Sequence, residues 1–232
     1  MKRTDFTRIA LSLALLAFSV FGLGAQETAK RYFSRVSERY VSIEDYTAEL
    51  TITRGQGEDA VQQKAQVWYK SPNLLRLEFS NPQDMEMVVD GELLQVWIPE
   101  LKVAFSQPLR KGSQGNLASV ASAGGLTMID KYYDVSYDPV PDLVPLQTGS
   151  SEQVVKMKAE WKSTTEGFRR LELSIDQDLL IRRVTGYTTT NEVITFDFEN
   201  TELNRGIPDA RFVFADHPDG NVIENFLFDP ED

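Results

Sequence analysis

The sequence predicts a mainly β protein of the α+β class, built on an antiparallel sheet with a few helices. Apolar residues recur at every second position, as in Ala48, Leu50 and Ile52, and this is the period of a strand with one buried face. Turn residues such as Asp90-Gly91 separate these stretches at intervals of roughly ten residues, which is the spacing of antiparallel hairpins. The pattern predicts about eleven strands and two or three helices.

The first 25 residues have the composition of a secretory signal peptide. Basic residues precede an apolar stretch at residues 9–21, and small residues follow as far as Ala25. This stretch is shorter than the about 20 apolar residues that a membrane-spanning helix needs. We therefore predict cleavage after Ala25, with cleavage after Gly24 or an uncleaved signal anchor as the alternatives. Residues 26–232 are predicted to form one domain that is exported to the periplasm.

Charge and cysteine content exclude several functions. The chain has 24 Lys and Arg against 35 Asp and Glu, a net charge of -11, and removal of residues 1–25 makes it -13. Phosphate backbones are bound mainly by clustered basic residues, so a nucleic-acid partner is not expected. With no cysteine, the chain has no disulfide, no thiolate metal site and no attachment point for a thioether-linked lipid anchor, so we predict a soluble protein.

The mature chain begins with an amphipathic helix over residues 27–43, whose apolar positions are spaced by four, three and four. Strands follow up to Leu109, and a short helix weakened by Gly124 and Gly125 is predicted within residues 112–130. Residues 138–151 contain three prolines and are predicted to form a loop. Strands resume at residues 155–161, 171–175, 179–187, 194–198, 212–214 and 222–228.

Few side chains are suited to catalysis. His217 is the only histidine and lies in a turn-like Asp216-His217-Pro218 segment, so a Ser-His-Asp relay and sites with several histidines are not expected. Carboxylate pairs such as Asp176 and Asp178 are typical of solvated turns. We therefore predict no enzymatic activity, no metal site and no cofactor.

The strands carry more apolar surface than two or three short helices can cover. Leaving that surface in water would be costly, so the sheet is predicted to be a closed sandwich, a barrel, or an incompletely filled pocket for an apolar ligand. The residue pattern leaves these three possibilities open.

Several short motifs resemble one family. They are the turn Lys70-Ser71-Pro72-Asn73-Leu74-Leu75, the hairpin Val89-Asp90-Gly91, and Ile207-Pro208-Asp209 followed by Phe212, Phe214, Pro218 and Gly220. In their order and spacing, and with the signal peptide and first helix, they resemble LolA-type outer-membrane lipoprotein carrier proteins. The resemblance implies an antiparallel sheet curled into an incomplete barrel, with the helices forming a lid over its apolar concave face.

The resemblance also implies a function without catalysis. Such a carrier holds the acyl chains of lipoproteins in a hydrophobic cavity and moves them from the inner toward the outer membrane. The implied partners are acylated lipoproteins, an inner-membrane lipoprotein-releasing ABC transporter and an outer-membrane acceptor, and we expect a monomer. The alternatives are a related lipid or glycolipid shuttle, a lipoprotein-sensing module, and an enzyme on a similar fold.

The site residues are predicted from the positions that match the family and from the alternation of side chains along the strands. The family has an arginine before Pro-Asn-Leu that latches the lid, whereas this chain has Ser71 at that position. Lys70 and Arg76 are nearby, but Arg76 is predicted to point away from Leu75 and Leu77. The predicted lid residues are Phe33, Val36, Tyr40, Leu117, Val120 and Met128. The predicted cavity residues are Leu50, Ile52, Tyr69, Leu75, Leu77, Phe79, Met85, Met87, Val89, Leu94, Val96, Phe105, Met157, Trp161, Phe196 and Phe198.

Overall fold

The structure is a computed structural model that describes residues 27–109, 121–163 and 167–226. The predicted signal peptide and the predicted lid residues Leu117 and Val120 lie outside the described residues. Within them, one curved, open sheet of 13 strands contains nearly all of the regular structure, which confirms the mainly β prediction. The strands are β1 Asp45–Arg54, β2 Val61–Lys70, β3 Leu74–Asn81, β4 Gln83–Val89, β5 Leu93–Ile98, β6 Val103–Pro108, β7 Tyr133–Tyr137, β8 Leu143–Pro145, β9 Gln153–Trp161, β10 Phe168–Ile175, β11 Ile181–Thr188, β12 Val193–Leu203 and β13 Asn221–Glu224.

The strand order shows how the chain builds this sheet. It runs β13-β6-β5-β4-β3-β2-β1-β12-β11-β10-β9-β7. Strands β7 and β8 both pair with β9, β7 along its second half and β8 along its first residues. Neighbours pair antiparallel except β13 and β6, which are parallel. Strands β1 to β6 form one half of the sheet and strands β7 to β12 form the other, and the long connection between the halves includes the second helix. The two halves meet where β1 pairs with β12. The sheet ends at β13 and β7 without closing into a barrel.

Two α-helices lie within the described residues. Helix α1 (Ala29–Val41) begins after Thr28, whose hydroxyl accepts a hydrogen bond from the Arg31 amide at 3.3 Å. Helix α2 (Ala123–Tyr132) begins after Ser122, whose hydroxyl accepts from the Gly125 amide at 3.1 Å, and this cap offsets the weak helix preference of Gly124 and Gly125. The two helices pack against each other and against β7.

The strand predictions need two corrections. The sheet has 13 strands rather than about eleven, partly because β7 and the short strand β8 were not predicted. Strand β8 ends in Pro145 and lies at the margin of the sheet, where a missing backbone donor is tolerated. Pro145, and the two prolines that precede the strand, therefore led to the wrong prediction of a loop. The predicted strand at residues 212–214 is wrong: Asp209–Phe212 forms a turn of 3-10 helix that follows Pro208 and buries Phe212.

The segment before β13, residues 207–220, packs against the outer face of the sheet. Arg76 donates to the carbonyl of Val213 at 2.9 Å and forms ion pairs with Glu78 and Glu86, which confirms that Arg76 points away from Leu75 and Leu77. His217 lies 3.1 Å from a Glu86 carboxylate oxygen and stacks on Trp97 with ring centres 4.0 Å apart. The single histidine therefore fastens this segment to the sheet.

Candidate functional site

The inner face, meaning the face of the sheet against which α1 packs, is built from apolar rows that cross the strands. One row joins Ala48, Val67, Leu77, Met87, Val96 and Phe105 from β1 to β6 by direct cross-strand pairing. A second row joins Ile52, Phe196, Val184, Leu173 and Met157 through the other half of the sheet. Because side chains alternate along each strand, these rows form one continuous apolar surface.

Most of the predicted cavity residues meet on this inner face. Leu50, Tyr69, Leu75, Leu77, Phe79, Val89, Leu94, Met157, Phe196 and Phe198 are buried in one hydrophobic cluster, and Ile52, Met85, Met87 and Val96 pack against it while partly exposed. Phe105 and Trp161 lie outside the cluster, where their rings contact Phe226 and Tyr133 at 5.2 and 5.4 Å between centres.

Further inner-face residues were not predicted. Ala65, Val67 and Leu171 are buried and lie at alternate positions in strands that were recognised, so the period of two already contained the signal for them. Gln107 is fully buried opposite Leu94, and nothing in its residue type indicated that position.

Helix α1 covers the inner face as the predicted lid. Phe33, Val36 and Tyr40 are buried in the same cluster as the strand residues. The Tyr40 hydroxyl accepts a hydrogen bond from the Ile181 amide at 2.9 Å, and burial raises the pKa of Tyr40. This bond joins the lid to the sheet and gives a buried strand amide its partner.

The start of α1 is held by a second group of contacts. The rings of Tyr32 and Tyr137 have centres 5.9 Å apart, and the Tyr137 hydroxyl donates to the carbonyl of Glu27 at 3.2 Å. Burial raises the pKa of Tyr32 to about 12. Helix α2 adds Leu126 and Ile129 to the core, whereas the predicted lid residue Met128 is only half-buried.

The Tyr69 hydroxyl is bound to the turn between β2 and β3. It donates to the carbonyl of Pro72 at 3.1 Å. Burial raises the pKa of Tyr69, and hydrogen bonds with the Ser71 and Ser122 side chains act in the opposite direction. Ser122 is the residue that caps α2. Lys70 binds the carbonyl of Ile207 at 2.9 Å and the Asp209 carboxylate at 2.5 Å.

Little space remains between lid and sheet at this junction. A cavity bordered by Tyr40, Tyr46, Ala121, Ile181 and Phe198 has a volume of about 10 Å³, roughly enough for one water molecule. A separate space of about 460 Å³ beside Leu50 and Phe79 has a largely polar lining that includes Glu49, Gln66 and Glu199. At this junction, a bulky apolar ligand would therefore need α1 to move away from the sheet.

Potential metal ligands and membrane-spanning helices were sought in the residues that the structure describes. Residues 27–109, 121–163 and 167–226 contain no group of three or more His, Asp or Glu side chains that could hold a metal ion. In the same ranges, none of the helices is long and apolar enough to cross a membrane.

Comparison with known proteins agrees with this geometry. The family described as "Outer membrane lipoprotein carrier protein LolA" matches residues 50–215. The outer-membrane lipoprotein carrier protein of Coxiella burnetii (strain RSA 331 / Henzerling II) is 24% identical over 205 residues, covering 87% of this chain and 90% of that protein. Its counterpart in Haemophilus influenzae (strain ATCC 51907 / DSM 11121 / KW20 / Rd) is 21% identical over 199 residues, covering 84% and 93%.

A solved structure shares the fold. The crystal structure of an uncharacterized conserved protein from Thermus thermophilus is similar to this chain with a TM-score of 0.53 and 13% sequence identity. The similarity covers 84% of this chain and 98% of that protein.

Proposed function

This chain belongs to the LolA family of outer membrane lipoprotein carrier proteins, and from this premise we propose that it carries acylated lipoproteins through the periplasm by binding their acyl chains between lid and sheet. The observation that carries the proposal is the continuous apolar inner face beneath α1. In this proposal the cargo comes from an inner-membrane lipoprotein-releasing ABC transporter and passes to an acceptor at the outer membrane.

The energetics explain why such cargo needs a carrier. Each buried methylene contributes about 0.8 kcal/mol, so a sixteen-carbon acyl chain gains roughly 12 kcal/mol on leaving water. Cargo with that preference does not cross an aqueous compartment unaided. A binding face covered by a movable helix can both shield the chain and give it up, because the lid side chains re-cover the face once the cargo has left.

Inner-face side chains are suited to several chain shapes. Met85 and Met87 are only partly buried and have flexible, polarizable side chains that adapt to different contours. The aliphatic residues Leu75 and Leu77 give a stiffer floor beside them. The proposed ligand is therefore defined by its hydrocarbon chains more than by one exact length.

Native mass spectrometry of the mature, exported protein with a synthetic triacylated lipopeptide tests this function. We expect a one-to-one complex. Val96→Arg, which places a charge on the inner face, should abolish it, whereas Gln95→Arg changes the adjacent half-buried residue on the opposite face and should retain it. Equal binding by the two variants would contradict the proposal. Binding of a free glycolipid but of no lipopeptide would favour the lipid-shuttle alternative.

A further inference from the structure

The side of the lid helix α1 that faces away from the sheet is basic. Arg31 and Arg35 lie on this side with 81% and 50% of their side chains accessible, while Phe33 and Val36 are buried on the opposite side. The helix has a net charge of +3, whereas the remainder of residues 26–232 has a net charge of -16. Four basic residues supply this charge, and we call them the lid stripe: Lys30, Arg31, Arg35 and Arg39.

The stability of the helix does not explain the lid stripe. Arg31, Arg35 and Arg39 are spaced by four residues, which places like charges side by side on a helix and costs stability. Lys30 and Arg31 lie in the first turn, which has no acidic residue, although the helix macrodipole favours negative charge there. Glu27 offsets part of this cost, because its carboxylate lies 2.9 Å from Arg35 and 3.8 Å from Arg31. Charges that a helix keeps against its own stability are expected at a functional surface.

The shape of the lid stripe favours one kind of anionic partner. The stripe lies on the outside of a helix, which is a convex surface, so it does not enclose a small anion. A specific protein interface needs an apolar centre, whereas Ser34 and Glu38 are the exposed residues between the arginines. A plane of phosphate groups can contact several of the long basic side chains at once, and the guanidinium of arginine suits phosphate especially well. Anionic phospholipid membranes present such a plane.

The acidic remainder of the protein does not cancel this attraction, because salt limits its range. The Debye length in about 0.1 M salt is about 10 Å. A helix with its side chains is about 10 Å across, so a membrane at the lid is more than one Debye length from the outer face of the sheet. Exposed carboxylates of that face, such as the directly paired Glu49 and Glu199, therefore orient the protein more than they repel it.

We propose that the lid stripe is a docking surface for anionic phospholipid membranes, which the protein approaches with its lid first. The surface lies outside the inner face and needs no cargo, so this inference goes beyond the proposed function and does not depend on it. Helix α1 then contacts the membrane with one side and the inner face with the other. The membrane thus holds the same helix whose movement uncovers the inner face.

Cosedimentation of the mature protein, without cargo, with lipid vesicles tests the docking surface. We expect binding to vesicles of phosphatidylcholine and phosphatidylglycerol in equal parts, and none to vesicles of phosphatidylcholine alone. About 1 M salt, which shortens the Debye length to about 3 Å, should release the protein. Each basic residue near an anionic membrane contributes about fivefold to binding, so Arg31→Gln/Arg35→Gln should weaken it about 25-fold. Arg54→Gln/Arg169→Gln removes the same charge from exposed residues of β1 and β10 and should bind like the wild type.

Three results would overturn the docking surface. They are equal binding of the wild type to both kinds of vesicle, an equal loss in the two double variants, and no binding to the anionic vesicles, which would favour an acidic protein as the partner. Lipopeptide binding by Arg31→Gln/Arg35→Gln should match that of the wild type, because the inner face is unchanged. A failure of the proposed function is therefore seen separately.

The lid-first orientation has its own test, which uses the absence of cysteine from the chain. Ser34→Cys introduces a single thiol on the exposed side of α1, and Glu199→Cys introduces one on the outer face of the sheet. A polarity-sensitive dye attached at position 34 should shift its emission to shorter wavelength on the anionic vesicles, and the same dye at position 199 should not. Equal shifts at the two positions would overturn the orientation.

Discussion

Replacing Tyr40 with phenylalanine should loosen the lid without altering its apolar surface. In the closed protein the Tyr40 hydroxyl accepts a hydrogen bond of 2.9 Å from the amide of Ile181, and both residues are buried. Phenylalanine keeps the ring and removes the acceptor, so the Ile181 amide is left buried without a partner. Once the lid has moved, water can reach that amide, so the penalty falls on the closed state.

The size of the effect follows from the cost of that unpaired group. An unsatisfied buried donor costs about 1 to 3 kcal/mol, which corresponds to about 5- to 150-fold in an equilibrium constant. If only the open form binds cargo, the apparent dissociation constant falls in proportion as the open fraction rises. We expect Tyr40→Phe to bind a lipopeptide at least about fivefold more tightly, while its melting temperature falls by a few degrees.

Both quantities are measured on the same protein, the affinity by titration calorimetry and the melting temperature by scanning calorimetry. Tyr132→Phe is the matched control, since Tyr132 is an exposed tyrosine on α2, and neither quantity should change. A Tyr40→Phe protein that is less stable but binds the lipopeptide equally or more weakly would refute the idea that closure of α1 opposes binding.

Three other perturbations have defined outcomes. Asp45→Ala removes the carboxylate that accepts hydrogen bonds from three backbone amides of residues 205–207. Urea unfolding should therefore show that the free energy of unfolding falls by about 3 kcal/mol. The control is Glu44→Ala, at an exposed neighbouring residue, which should have little effect. Leu77→Ala on the inner face should cost about 2 to 5 kcal/mol, and Leu101→Ala, at an exposed turn, almost nothing in the same assay. Because burial raises the pKa of Tyr32 from 10 to about 12, its stabilising contribution should be complete below pH 10 and be lost as the pH rises from 10 to 12. Ultraviolet titration of tyrosinate absorbance should follow that loss, and complete ionisation near pH 10 in the folded protein would contradict it.

The alternation of apolar and polar residues along the strands predicted which side chains lie on the inner face. The pattern is informative because a shift of one residue would move every side chain of a strand to the other face. Leu75, Leu77 and Phe79 accordingly lie on the buried face of β3, and their role in binding a ligand stays a prediction. The prediction failed where a residue type does not show its surroundings. Asp45 and Gln107 are buried polar residues within strands, and their burial depends on loops and strands that are distant in sequence.

The C-terminal segment was beyond prediction for a related reason. Its position depends on the contacts of Arg76 with the Val213 carbonyl and of Glu86 with His217, and the partners in each contact are more than 130 residues apart in the sequence. Likewise, the sequence indicated that α1 is amphipathic, but the partner of its Tyr40 hydroxyl could be identified only once β11 was in place.

Hydrogen exchange of the mature protein with and without a triacylated lipopeptide tests most directly whether cargo enters between lid and sheet and separates the lid side chains from the inner face. We predict that ligand increases exchange at the α1 amides, at Ile181 and at the start of α2, while amides of β2 to β5 become more protected. Saturating lipopeptide that leaves the exchange of α1 and Ile181 unchanged would contradict the account, because the acyl chains would then be bound at a place that the lid does not cover.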